Sequence, residues 1–137
     1  MNADKRGFQA ALPVNDLTER VIGCAFAVSN TLGAGFLEKV YENALALDLR
    51  RAGLAVEQQH PVRVFYHGEV VGDYVADLFV DQRLIIEIKA VKAIDPVHVA
   101  QCINYLRASQ FHVGLLLNFG KPTLEVRRLV HQLPEKD

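Results

Sequence analysis

Leu17, Val21, Cys24, Ala25 and Val28 recur at helical intervals and predict a first helix over about 16–30. Asp16 and Glu19 have capping-box spacing at its start, with Asp in place of the usual Ser or Thr. Gly33-Ala34-Gly35 breaks the pattern. Leu37, Val40, Tyr41, Ala44, Leu45, Leu47 and Leu49 then set up a second helix over about 36–52, with Gly53 as a left-handed stop. From Val56 the period changes to two. Val62, Val64 and Tyr66 alternate with Arg63, Phe65 and His67, as in a strand, and His67-Gly68 marks a turn. Val70 to Val80 reads as a second strand bent at Gly72, and Leu84 to Ala90 as a third, apolar enough to be central. Asp95-Pro96 opens a third helix reaching about residue 109, with Val99, Ile103 and Leu106 as its core stripe. Phe111 to Phe119 is a strand whose Leu115-Leu116-Leu117 run is buried on both sides, and Leu124 to Val130 is a last strand or a short helix. The tail from Leu133 is expected to fray.

The predicted order is α-α-β-β-β-α-β. Three strands form an antiparallel meander, and the third helix makes a right-handed parallel crossover to the next strand. The class is α/β, a mixed sheet with helices on it. A length of 137 residues suits one domain over 1–137, and half the residues are apolar, which excludes a disordered chain. No apolar run is long enough for a bilayer span, and no apolar secretory core follows Met1–Arg6, so a cytoplasmic location without membrane partners is expected. The net charge of −1 and the lack of a long basic tract argue against a non-specific nucleic-acid coat. A local basic groove is compatible with that total, and Arg50, Arg51, Lys92, Arg107 and Lys121 are its candidates. Cys24 and Cys102 stand far apart and form no zinc or iron–sulfur pattern.

The chemistry-bearing residues are charges in apolar surroundings. Asp77 lies within Val75–Val80, while Glu87 and Lys89 lie within Leu84–Lys89. Buried charges are costly unless paired or bound to metal. By strand alternation Glu87 and Lys89 share one face. A three-residue loop at 81–83 would set Val80 opposite Leu84 and hence Asp77 opposite Glu87, on that face. A two-residue loop would put the carboxylates on opposite faces. Facing carboxylates repel, and a hard cation such as Mg²⁺ resolves the repulsion by accepting their oxygens. Such a cation polarises a phosphoryl oxygen and acidifies water. Lys89 would orient the attacking water or stabilise charge on the phosphate. The competing reading is a structural Asp–Lys–Glu cluster at a solvated sheet edge.

At Asp77 and Glu87-Ile88-Lys89 the chain resembles the PD-(D/E)XK nuclease superfamily, with Ala76 where the eponymous proline stands. The resemblance implies a restriction-endonuclease-like core: a mixed four- to five-stranded sheet flanked by helices. Gln101-Cys102-Ile103-Asn104-Tyr105 is similar to the QxxxY motif of the RecB-like branch, and Gln101, Tyr105 and His98 would share a helix face apart from the apolar stripe. Gly35-Phe36-Leu37-Glu38-Lys39-Val40-Tyr41 resembles the signature of the bacterial GxxExxY family, and that likeness runs from the first helix to Gly120. The superfamily places a glutamate on the first core helix. Glu42 and Glu38 both suit it, the spacing to Gly53 favouring Glu42 and the GxxExxY signature favouring Glu38.

The resemblance implies a nuclease that hydrolyses phosphodiester bonds in DNA with Mg²⁺ or Mn²⁺. Asp77, Glu87, the Ile88 carbonyl and Glu42 would serve the metal, Lys89 the water, and Gln101 and Tyr105 the site or scissile strand. An iron–sulfur cluster, found in some RecB-like nucleases, would need four cysteines and is not expected. A homodimer or larger complex is an expected partner state. The alternative is a non-catalytic nucleic-acid-binding or assembly module that retains the fold.

Overall fold

A computed structural model describes residues 12–132, so the fraying expected from Leu133 onward lies outside the described residues. Helices α1 (Val14–Leu32) and α2 (Glu38–Arg51) precede strands β1 (Val56–Tyr66), β2 (Glu69–Val80) and β3 (Leu84–Lys89). Helix α3 (Pro96–Ser109) and strands β4 (Val113–Asn118) and β5 (Glu125–Val130) follow. The strands form one sheet in sequence order. β3 and β4 pair in parallel across α3, and every other neighbouring pair is antiparallel. This is the mixed α/β arrangement expected, and the ambiguous last segment is a strand. Among the described residues no helix is long and apolar enough to cross a membrane.

Two apolar clusters sandwich the sheet. On one face, Leu17, Val21 and Ala25 of α1 and Leu45 and Leu49 of α2 pack on Leu78, Ile86, Ile88, Leu115 and Leu117. On the other, Tyr105 and Leu106 of α3 pack on Val62, Phe79 and Ile85. β3 and β4 are thus covered on both sides, which is why their sequences are almost continuously apolar.

Three local expectations change. Helix α1 begins at Val14 with Pro13 at the capping position and no side-chain cap. Asp16 therefore lies in the first turn, where the helix dipole favours its charge, and does not cap. The stripe that α3 buries is Cys102, Tyr105 and Leu106, with Val99 and Ile103 only half-buried. The helix is rolled so that the Tyr105 ring meets Tyr74 of β2, centroids 5.8 Å apart. The bend expected at Gly72 is a bulge: opposite the Val64/Phe65 step the register shifts and Val71 is left unpaired. The stop of α2 is as expected. Gly53 has φ 89°, its N–H donates to the Arg50 carbonyl (2.9 Å), and the Leu54 N–H donates to the Leu49 carbonyl (3.1 Å).

Candidate active site

The β2–β3 turn uses three residues. Asp81 and Gln82 take left-handed φ of 50° and 57°, the Arg83 N–H donates to the Val80 carbonyl (3.1 Å), and Val80 pairs with Leu84. The regular ladder runs only to Leu78↔Ile86. One step further, where Asp77 stands opposite Glu87, the strands part and the two carboxylates occupy the gap. The Asp77 N–H donates to Glu87 Oε2 (3.1 Å), and the Ile88 N–H donates to Asp77 Oδ2 (2.7 Å). The Ile88 carbonyl leaves the same strand edge as its N–H and so opens toward that gap.

The two acids do not share a face as alternation implies. Ala76 and Phe79 both belong to the α3-side cluster, whereas Leu78 belongs to the α2 side. An odd step separates Ala76 from Phe79, so β2 slips phase at Asp77. β1 slips at the same level: Gln58 pairs with Leu78 and His60 with Ala76, but Gln59, with φ 58°, has no ladder partner. The slip turns Asp77 toward α2, into a cleft of about 550 Å³ that it shares with Glu38, Glu42 and Gln59. Glu87 stays on the α3 side by alternation with Ile85 and Ile88. The carboxylates therefore meet through the gap between the strands.

Glu42 and Glu38 separate clearly. Glu38 is exposed at the first position of α2, at the mouth of the cleft. Glu42 is buried, 3% exposed, and its oxygens accept from Gln58 Nε2 (2.8 Å), Gln59 Nε2 (3.0 Å) and Lys39 Nζ (3.1 and 3.2 Å). These two glutamines went unnoticed in the sequence. Tyr41, in the same motif as Glu38, is structural. Its hydroxyl donates to the Gly33 carbonyl (2.6 Å) and accepts from the Phe36 N–H (3.1 Å), while its ring stacks on Phe119 at 4.7 Å.

Lys89 ends β3. Its carbonyl accepts from the Phe119 N–H (2.8 Å), and among the described residues its ammonium has no ion-pair partner. The following backbone is held by buried Asn118, whose Oδ1 accepts from the N–H groups of Val91 (3.0 Å) and Gly120 (2.9 Å). A side chain at Gly120 would meet the Val91 carbonyl at 2.3 Å, so only glycine fits there. On α3, Gln101 Nε2 donates to the Tyr105 hydroxyl (3.1 Å), which pairs those two as expected. His98 leaves that set. Its Nδ1 accepts from the Asp95 N–H (3.1 Å), closing a capping box in which Asp95 caps Val97.

The electrostatics are those of a buried acidic pair whose burial outweighs the nearby Lys89 charge. Burial, then the Asp77 charge, pushes the Glu87 carboxyl up to about 8. Burial raises Asp77 as well, aided by Glu42 and Glu38. Burial and the two carboxylates push the Tyr105 phenol up to about 12. Among the described residues no three His, Cys, Asp or Glu side chains converge as a ready ligand cage. The donor set nevertheless suits a small hard cation, since Mg²⁺ takes one or two carboxylates and keeps several waters. Two carboxylates and the Ile88 backbone carbonyl on that strand edge, all oxygen donors, meet that description.

A family model described as the PD-(D/E)XK nuclease superfamily matches residues 15–129 of this chain. No curated protein matches it. Among solved structures, SSO0001 aligns with a TM-score of 0.54 at 18% identity, over 72% of this chain and 52% of its own. The chain thus spans about half the length of that protein. An alkaline exonuclease from Laribacter hongkongensis, LHK-Exo, aligns with a TM-score of 0.50 at 14% identity, over 90% of this chain and 72% of its own. These likenesses establish a restriction-endonuclease-like fold.

Proposed function

We propose, from the premise that the chain belongs to the PD-(D/E)XK nuclease superfamily, that it is a metal-dependent nuclease hydrolysing phosphodiester bonds in DNA. The observation that carries this reading is the meeting of Asp77 and Glu87 in the β2–β3 gap, mutually repelling, beside a Lys89 without an ion-pair partner among the described residues. Asp77, Glu87 and the Ile88 carbonyl would hold Mg²⁺ or Mn²⁺, with Glu42 acting through water. When bound, the cation would supply Lewis-acid polarisation of the scissile phosphate. The chain does the rest. Lys89 orients the water and meets the charge that develops on the phosphate. Glu42, fixed by Gln58 and Gln59, holds the water network on the α2 side. Gln101 fixes the Tyr105 hydroxyl, which donates to the scissile strand and stays protonated at any working pH. That pairing supports the RecB-like reading of α3, and the Tyr41 anchor supports the GxxExxY reading of the loop before α2.

The test is incubation with single-stranded, duplex and branched DNA. Cleavage is expected with Mn²⁺ or Mg²⁺, none with EDTA, and at least about a hundredfold less from Asp77→Asn. DNA binding without cleavage, indifferent to Mn²⁺ and to Asp77→Asn, would identify a non-catalytic module.

Gln59 gives a second prediction. A left-handed non-glycine residue costs about 1–2 kcal/mol relative to glycine and persists where its surroundings impose it. Gln59→Gly and Gln59→Ala both withdraw the amide from Glu42, so both should lower cleavage about tenfold. Only Gln59→Gly relieves the backbone, so it should melt above Gln59→Ala by a margin worth about 1–2 kcal/mol. Full cleavage by both variants would show that Glu42 needs no such anchor.

A further inference from the structure

Beyond the acidic gap, a groove of about 790 Å³ runs between α3 and the β1–β2 hairpin. Phe65 and Tyr74 on its hairpin wall are 59% and 48% exposed. Gln101, Asn104 and Tyr105 line the helix side, and among the described residues Arg107 is the only charged one that lines it. A chain of net charge −1 thus lines this groove with no carboxylate among the described residues. Tyr105 belongs to both places: it lines the groove, its hydroxyl pairs with Gln101, and its phenol feels the charges of Glu87 and Asp77. The groove thus lies on the α3 side of the sheet, the side to which alternation assigns Glu87.

We propose that this groove receives unpaired nucleobases of a single DNA strand beside the cleaved phosphate, an inference that rests on the nuclease reading. Exposed aromatic rings give faces on which any base can stack. The Gln101 and Asn104 side chains supply both donors and acceptors for base edges. Arg107, whose Nη1 donates to Asn104 Oδ1 (3.2 Å), provides the cation for a neighbouring phosphate. A polyanion suits a wall without carboxylates, and the apolar rings would otherwise face water.

The test separates this site from the nuclease reading by measuring affinity without metal. Fluorescein-labelled single strands of about 12 nucleotides, one with bases and one abasic, are titrated in EDTA and followed by anisotropy. The protein should bind the base-bearing strand about 5- to 150-fold tighter, the range expected for one stacked base. Tyr74→Ala and Phe65→Ala should each remove much of that preference, and Tyr74→Phe, which keeps the ring, should retain it. Melting curves confirm that the variants fold. Equal affinity for both strands, or unchanged preference in folded Tyr74→Ala, overturns the groove. So does a homodimer in sedimentation that Phe65→Ala dissolves while DNA affinity stays the same. If the wild type cleaves with Mn²⁺ and Tyr74→Ala keeps its affinity and KM, the groove falls and the nuclease reading stands. Base-dependent binding lost in Tyr74→Ala, with no cleavage by the wild type, overturns only the nuclease reading.

Discussion

Glu87→Gln is expected to stabilise the metal-free protein at alkaline pH while abolishing cleavage. Glu87 is 6% exposed and its carboxyl is pushed from the ordinary 4.5 to about 8 by burial and the Asp77 charge. Between those values the folded protein holds a proton that the unfolded chain has released, so stability falls as pH rises from about 4.5 to about 8. Below that window both states are protonated and nothing is lost; above it the loss is complete. At about 1.4 kcal/mol per pKa unit the total is on the order of a few kcal/mol, and Asp77 adds to it in the same direction. Glutamine keeps the shape and an oxygen for the Asp77 N–H but cannot ionise, so the variant should lose most of the pH slope. A divalent cation opposes the same repulsion, so Mn²⁺ at about pH 8.5 should raise the wild-type melting temperature and leave the variant nearly unmoved. Melting curves at about pH 6 and 8.5, with and without Mn²⁺, check all of this. A wild-type protein equally stable at both pH values and indifferent to Mn²⁺ would contradict it.

That Asp77 stands level with Glu87 was legible because register follows from loop parity, and three residues separate Val80 from Leu84, but the shared face expected from the same parity does not hold. What parity could not reveal was the phase slip. A left-handed position usually advertises itself by Gly or Asn, but Gln59 is neither, so nothing in the alternation of β1 marks the level at which Asp77 turns over. The choice between Glu42 and Glu38 was open for a related reason. Both lie on one helix face, and what distinguishes Glu42 is a pair of amides 16 and 17 residues further on. On α3 the period identified the helix but not its roll, because Val99, Cys102, Ile103, Tyr105 and Leu106 together are wider than one stripe. In the roll the helix adopts, the Tyr105 ring meets Tyr74 and lines the groove.

Lys89→Ala should lower cleavage by about 10²- to 10⁴-fold with little change in fold or metal affinity. The structural part of Lys89 is its backbone, through the carbonyl bonded to the Phe119 N–H, and alanine keeps that bond. The ammonium has no ion-pair partner among the described residues, so its loss breaks no bridge among them. Its charge favours the ionised forms of both Asp77 and Glu87 and repels a cation bound between them. Removing it should therefore leave Mn²⁺ affinity unchanged or tighter, whereas a residue that builds the metal site would weaken binding when lost. Lys89→Arg should remain impaired, because a planar guanidinium cannot replace a compact ammonium at a single water or phosphate oxygen. Calorimetric Mn²⁺ titration alongside single-turnover cleavage separates these roles. Cleavage by Lys89→Ala within about threefold of wild type would remove Lys89 from the chemistry and point to a contaminating nuclease, whereas retained Mn²⁺ binding with cleavage gone would assign the ammonium to the reaction itself.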